Sequence, residues 1–184
     1  EFNRRVLEEA KDPKNPLLAR LFFFSVVGSN FDEFFMKRIG GLKQQVGAGV
    51  KKLSVDGRLP MEQIDACAEL VNDIIVDQRT CGKELQQQLG KEGIHIETYE
   101  SLNQSQREWL DEFFVEQVYP LLTPQGMDPA HPFPFISNLS INLLVSVSYP
   151  ESDHAYRNRI KIPVSEDMPR FVKVGDEHVY VLLE

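Results

Sequence analysis

Cysteine is scarce in this sequence, since only Cys67 and Cys81 occur among 184 residues. Both fall on one predicted helix, where their separation corresponds to about 21 Å of helical rise, which is too far for a disulfide bond. Two thiols without a disulfide framework favour a reducing compartment. We therefore expect the protein to be cytoplasmic.

Long hydrophobic runs are also missing. The apolar run at residues 21–27 falls far short of the roughly 20 residues that span a bilayer. The N-terminus does not have the basic, apolar and small-residue order of a secretory signal. Any membrane association is therefore expected to be peripheral, at the inner face of the membrane.

The chain has no overall surplus of basic residues. Its formal net charge is −8, and because residues 1–90 are balanced, the whole excess of acid lies in residues 91–184. A nucleic-acid-binding protein needs a basic face, so nucleic acid is not expected as a partner. One local basic cluster is either an ordinary solvated surface or a surface that faces a polyanion; it consists of Lys37, Arg38, Lys43, Lys51, Lys52 and Arg58.

Recognisable catalytic motifs are missing too. No glycine-rich phosphate loop is present, and the four histidines lack metal-ligand spacing; they are His95, His131, His154 and His178. Asp32 and Glu33 are neighbours on a predicted helix, where adjacent side chains point about 100° apart. No catalytic residue and no metal ligand is therefore predicted within this chain.

Helical periodicity dominates the first half of the sequence. It predicts helices over residues 1–10, 16–27, 29–46 and 60–89, although the second and third are either two helices or one kinked rod. In the second, the predicted buried residues are Leu17, Leu18, Leu21, Phe22 and Phe24. Long amphipathic segments with short links favour an antiparallel helical bundle.

The second half changes its period and predicts strands around one helix. A short strand at 94–96 precedes a helix that begins at Asn103 and Gln106, and further strands are predicted at 138–149, 159–164, 170–174 and 178–183. Between them, residues 121–135 form a proline-rich loop. Its residues 131–135 are either a binding loop or an ordered connection in which Phe133 and Phe135 fill the core or a subunit contact. The predicted fold class is α+β, with a boundary near residues 90–95.

The segment from Ser29 to Phe35 places polar groups among aromatic rings. Gly28 interrupts the preceding apolar pattern, so Ser29 or Asn30 can cap a new helix, and Asn30 with Glu33 has the spacing of a capping box. The carboxamide of Asn30 also offers a donor and an acceptor that suit a base or a ribose. Both interpretations, cap and ligand contact, stay open.

Two sequence phrases resemble the polyphosphate kinase family, the large enzymes that work through a phosphohistidine. The first combines EFNRRVLEEA at 1–10, NPL at 15–17 and SNFDEFF at 29–35, and is similar to the N-terminal domain of the family. The second combines LTP at 122–124 with DPAHPFPFISNLS at 128–140, and looks like the entry into its head domain. The order and approximate spacing of both phrases fit the family, and the resemblance covers nearly the whole chain.

The resemblance implies an N-terminal fragment of an ATP:polyphosphate phosphotransferase. Residues 1–92 would form a helical nucleotide-contacting domain, and residues 93–184 an incomplete head domain with mainly antiparallel strands and contacts within a dimer or tetramer. The family reversibly transfers the terminal phosphate of ATP to polyphosphate with Mg²⁺. Its catalytic histidine and its Mg²⁺ site are expected in domains outside this chain.

One residue of this chain is implied as a ligand contact. The ATP-binding asparagine of the family falls on Asn30, so we expect Asn30 to contact the base or ribose of ATP or ADP. The nearby carboxylates of Asp32 and Glu33 would repel a triphosphate placed directly there. The alternative is a non-catalytic helical assembly module that makes no contact with a nucleotide.

Overall fold

A computed structural model of the chain describes residues 1–128, 133–148, 155–175 and 177–184. Its internal contacts divide it into two compact units, Glu1–Glu92 and Gly93–Glu184. Helices make up the first unit, whereas the second combines helices with two small sheets that are mostly antiparallel. The predicted α+β fold class is confirmed.

Four α-helices form the first unit. They are α1 (Phe2–Lys11), α2 (Leu17–Phe34), α3 (Gly40–Gly47) and α4 (Pro60–Lys91), and a π-helical turn at Phe35–Ile39 joins α2 to α3. Pro60 is the first residue of α4, a position where its missing N–H has no intrahelical partner to lose. Within the resolution of such boundaries, the predicted first and last helices of this half are confirmed.

The predicted helix start at Ser29 or Asn30 is wrong. Helix α2 runs without interruption through Gly28, and Asn30 and Glu33 both lie inside it, so they form no capping box. A glycine in a helix costs only about 1 kcal/mol relative to alanine, which packing of α2 against α1 and α4 offsets. Of the two predicted possibilities, the structure has one continuous rod.

The core of the first unit lies between α1, α2 and α4. Its buried members are Leu7, Ala10, Val27, Ile74, Cys81 and Leu85, and the half-buried Leu17, Leu21 and Phe24 pack against them. Leu18 and Phe22, predicted to be buried, are instead 72% and 64% exposed. Apolar residues occur on every side of α2, so periodicity could not identify the inward face.

Gly82 allows α2 and α4 to approach closely. A Cβ atom at this position of α4 would lie 3.0 Å from the ring of Phe24. That distance is tighter than an ordinary van der Waals contact between carbon atoms. The missing side chain of Gly82 therefore makes room for the Phe24 ring at the helix contact.

A buried guanidinium ties the three helices together. Arg20 is only 5% exposed, and its Nε donates to the carbonyl oxygen of Ala10 at 2.8 Å. Its Nη1 donates to Oε1 of Gln88 at 2.7 Å. Ala10 belongs to the last turn of α1, where carbonyl oxygens lack intrahelical donors and a positive charge is favourable. Arg20 therefore joins α2 to the end of α1 and to α4.

The described residues of the second unit form six strands and one α-helix. The strands are β1 (His95–Glu97), β2 (Gln125–Met127), β3 (Asn142–Ser148), β4 (Ala155–Lys161), β5 (Phe171–Lys173) and β6 (Val179–Leu182). Helix α5 (Gln104–Phe113) has the predicted start, because Asn103 and Gln106 form a capping box. A π-helical turn, Phe114–Val118, and a 3₁₀ turn, Tyr119–Leu121, follow it.

The strands form two sheets of three. The first has the order β1-β6-β5, in which β1 and β6 are parallel and β6 and β5 antiparallel. Leu102, Val174 and Val179 form the core on this sheet, with Leu110 of α5 packed against them. The second sheet is antiparallel throughout, with the order β2-β4-β3.

Several predicted strand boundaries were wrong. Strand β3 begins only at Asn142, because the chain turns at residues 138–139, with Leu139 at a φ of 58°. Strand β4 begins earlier than predicted and ends before Pro163, which has no N–H for the sheet. Strand β2, inside the predicted loop, was missed because its three residues are too few to show a period.

The aromatic residues of that loop do not fill the core. Phe133 and Phe135 are 66% and 91% exposed, so the predicted core position is wrong. The other predicted roles, a subunit contact and a binding loop, stay predictions. Residues 129–132, which include His131, lie outside the described part of the chain. Among the described residues, none of the helices has the length and apolar content that crossing a membrane requires.

We expect Arg20→Met to destabilise the first unit by about 2–4 kcal/mol, because it leaves the Ala10 carbonyl and the Gln88 side chain without their charged donor. Urea unfolding followed by circular dichroism measures this difference. The matched control is Arg5→Met, since Arg5 is exposed and pairs only across one helical turn with Glu1. The control should cost less than about 0.5 kcal/mol. Equal stability of the two variants would contradict the role assigned to Arg20.

Candidate functional site

Asn30 lies inside α2 and pairs with a residue of another helix. Its Nδ2 donates a hydrogen bond of 2.9 Å to Oδ1 of Asn3, in the first turn of α1. Both side chains are half-buried. Asn30 therefore joins α2 to α1 and does not cap a helix. Sequence reasoning missed Asn3, although it belongs to the EFNRRVLEEA phrase.

A cavity of about 640 Å³ opens beside this pair in the first unit. The start of α1, the second half of α2, the π-helical turn and the first half of α4 surround it. Its apolar wall consists of Phe2, Phe31, Phe34, Leu70, Val71 and Ile74. Its polar side chains are Glu1, Asn3, Asn30, Glu33, Lys37 and Arg38. Most ligand cavities combine an apolar lining with a few polar groups in this way.

The charged side chains that line the cavity differ along the continuous helix formed by α2 and the π-helical turn. Glu33 follows Asn30 by one turn, whereas Lys37 and Arg38 lie in the π-helical turn, about 10 Å from Asn30 along the rod. Lys37 forms an ion pair with Glu33. This hydrogen bond from Lys37 holds the pKa of the Glu33 carboxyl below its ordinary value, so Glu33 is ionised at neutral pH.

The two ends of the cavity, one at Asn3 and Asn30 and the other at Arg38, suit different chemical groups of a ligand. Near Asn30 and Asn3, carboxamides and aromatic rings suit a neutral planar group, and the Glu33 carboxylate disfavours an anion. Arg38 supplies the positive charge that a phosphate requires, whereas the charge of Lys37 is balanced by its ion pair with Glu33. The cavity can therefore hold a ligand that is aromatic at one end and anionic at the other.

The structure separates the predicted basic cluster. Only Lys37 and Arg38 line the cavity, while Lys43, Lys51, Lys52 and Arg58 are exposed residues away from its lining. The two neighbouring carboxylates also separate, since Glu33 lines the cavity and Asp32 does not. Adjacent helical side chains point in different directions, as the sequence predicted.

Two of the four histidines, His95 and His178, lie in the described part of the chain. His95 lies on β1 and His178 precedes β6, and the backbone N–H of His95 donates to the carbonyl of His178 at 2.8 Å. His131 and His154 lie outside the described residues. In the described ranges, no group of three or more His, Cys, Asp or Glu residues could hold a metal ion.

Two family models match the chain in succession. Residues 1–97 match the polyphosphate kinase N-terminal domain, and residues 105–184 match the polyphosphate kinase middle domain. The cavity and the Asn3–Asn30 pair lie within the first match. The second match begins at the second residue of α5 and covers strands β2 to β6.

Curated relatives and a solved structure agree with these models. The chain is 46% identical to a polyphosphate kinase of Thermosynechococcus vestitus over 94% of its own length and 23% of the relative. It is 44% identical to one of Mycobacterium ulcerans over 95% of its length and 24% of the relative. The crystal structure of polyphosphate kinase from Porphyromonas gingivalis superposes with a TM-score of 0.82 at 25% identity, covering 99% of this chain and 27% of that one.

The matches cover nearly all of this chain but only part of each relative. The chain spans about a quarter of the length of these relatives, and its two matched regions follow each other in the order N-terminal domain, middle domain. The first unit falls wholly within the first match, and the second unit falls within the second match from residue 105 onward. This chain therefore belongs to the polyphosphate kinase family.

Proposed function

We propose that the protein containing this chain is an ATP:polyphosphate phosphotransferase, in which the first unit holds the base and ribose of ATP. The observation that carries this proposal is the cavity beside Asn30, inside the region that matches the family's N-terminal domain. Relatives at 40–46% identity are named polyphosphate kinase, which supports ATP and polyphosphate as substrates. The reaction would run in both directions.

The chemistry of the cavity determines how ATP would lie in it. The carboxamide of Asn30 can hydrogen-bond a base edge or a ribose hydroxyl, and Phe31 and Phe34 offer apolar surface to the purine. Because Glu33 is ionised, the phosphates would avoid it and extend toward Arg38. The triphosphate would then extend out of the cavity at the end where Arg38 lies.

The transfer of phosphate itself would need groups beyond this chain. Phosphoryl transfer depends on metal ions and cationic clamps around the transferred group. The described residues offer no cluster for Mg²⁺, so we assign none of them to it. A phosphorylated histidine and the Mg²⁺ site would both belong to other parts of a cytoplasmic enzyme.

The second unit would support oligomerisation. Helix α5 and the π-helical turn after it expose large apolar side chains, among them Trp109, Phe114 and Val115, which are 43%, 45% and 62% exposed. Large apolar side chains left exposed can mark interaction sites. A homo-oligomer, a dimer or a tetramer, would cover part of this surface. An assembly module without nucleotide contact would use the same surface but leave the cavity of the first unit without a role.

The first test concerns Asn30. In the full-length enzyme we expect Asn30→Ala to raise KM for ATP about tenfold with little change in kcat, because one hydrogen bond to the bound nucleotide is lost in ground state and transition state alike. Steady-state kinetics measures both constants. Asn72→Ala is the matched control, since Asn72 is exposed on α4 away from the cavity lining. An unchanged KM in Asn30→Ala would contradict nucleotide contact and favour the assembly module.

The second test separates phosphate contact from base contact. We expect Arg38→Gln to weaken ATP binding about tenfold, since a charged hydrogen bond to phosphate is lost, and to leave inhibition by adenosine unchanged. Competition kinetics with both ligands measures the difference. Lys43→Gln removes an exposed charge outside the cavity lining and should have little effect. Equal loss of ATP and adenosine affinity would contradict the proposed direction of the phosphates.

The third test concerns assembly. We expect Val115→Lys to shift the full-length protein toward smaller species in analytical ultracentrifugation, because a charge is placed on the apolar surface that a subunit would cover. Gln117→Lys introduces the same charge at an exposed polar position in the same turn and is the matched control. If both variants keep the parental sedimentation coefficient, this surface is not the subunit contact.

A further inference from the structure

We infer that the carboxylate of Glu33 binds the ribose of the nucleotide and makes the cavity select ribonucleotides over deoxyribonucleotides. This inference rests on the proposed nucleotide contact of Asn30 and assigns a specificity role to a second residue of the same cavity. The observation behind it is the place of Glu33 in the cavity lining, one helical turn after Asn30 and before Arg38.

The continuous helix spaces these three side chains at intervals that fit the parts of a nucleotide. Asn30 and Glu33 are separated by about 4.5 Å of helical rise, and Asn30 and Arg38 by about 10 Å. In the proposed orientation, the base lies at Asn30 and the phosphates lie toward Arg38. Because the ribose connects the base to the phosphates, it lies at the level of Glu33.

An ionised carboxylate suits only one kind of ligand group at that level. It offers acceptor oxygens and no donor. The phosphates of ATP are negatively charged and are repelled by it, whereas the 2′- and 3′-hydroxyls of the ribose can donate to it. Hydrogen bonds to a charged acceptor are also stronger than those between neutral groups. Glu33 therefore matches the ribose and not the phosphates that follow it.

The ion pair with Lys37 leaves the carboxylate able to do this. Nζ of Lys37 donates a hydrogen bond to Oε1 of Glu33, and this bond lowers the pKa of the carboxyl. The other oxygen, Oε2, takes no part in that bond and can accept from a hydroxyl. The side chain of Glu33 is 59% exposed, so a ligand in the cavity can reach its carboxylate.

The neighbouring carboxylate of Asp32 provides a comparison within the same helix. Asp32 and Glu33 are both exposed, but Asp32 does not line the cavity. Its side chain points about 100° away from that of Glu33 around the helix axis. The two residues therefore carry the same charge at almost the same place, and only Glu33 faces the proposed ribose position.

The test uses the full-length enzyme and compares kcat/KM for ATP with kcat/KM for 2′-dATP and 3′-dATP, each of which lacks one ribose hydroxyl. We expect the parental enzyme to prefer ATP over at least one analogue by about tenfold or more. Glu33→Ala should reduce that preference to less than about twofold, because the acceptor of the hydroxyl is removed. Asp32→Ala is the matched control and should keep the parental preference. Lys37→Met should also keep it, since the Glu33 carboxylate remains.

The preference for ATP separates a ribose contact from a structural role of the Glu33–Lys37 pair. A structural role would change kcat/KM for all three nucleotides by the same factor. An unchanged preference in Glu33→Ala, an equal loss of preference in Lys37→Met, or no preference in the parental enzyme would each overturn the role of Glu33.

The fate of the proposed nucleotide site is read separately, from Asn30→Ala. If KM for ATP is raised in that variant, the site stands even when the role of Glu33 is overturned. If KM is unchanged, the nucleotide site itself is wrong. Circular dichroism of each variant verifies the helical fold.

Discussion

The continuity of α2 through Gly28 is the constraint on which the rest of the first unit depends. Because the helix does not restart there, Asn30, Glu33 and Lys37 follow one another along a single rod at fixed spacing. Arg20 anchors that rod to the end of α1 and to α4 through two hydrogen bonds. The cavity is a consequence of this packing, since its walls come from the three helices that Arg20 joins and from the π-helical turn.

The charged side chains along α2 and the π-helical turn make the two ends of the cavity chemically different. The ionised Glu33 lies one turn after Asn30 and pairs with Lys37, and Arg38 follows Lys37. The proposed nucleotide would therefore lie with its base toward Asn30 and its phosphates toward Arg38. In this proposal the helical unit would hold the nucleoside, and groups outside this chain would act on the phosphates.

Sequence reasoning recovered those features that depend on local patterns. The amphipathic period predicted α4 correctly, and the Asn103–Gln106 capping box predicted the start of α5. The two sequence phrases identified the family. It failed where tertiary packing overrides local preference: Gly28 does not break α2, and Phe22 faces outward while Arg20 is buried. The Asn3–Asn30 contact joins residues distant in sequence, and with a single sequence no local signal could have identified it.

The most direct test of this account is a structure of the full-length enzyme with a non-hydrolysable ATP analogue bound. We expect the base or the ribose to lie within hydrogen-bond distance of the Asn30 carboxamide. The phosphates should lie on the side of Arg38. A base bound away from this cavity, with the Asn30 carboxamide facing no ligand, would contradict the central claim.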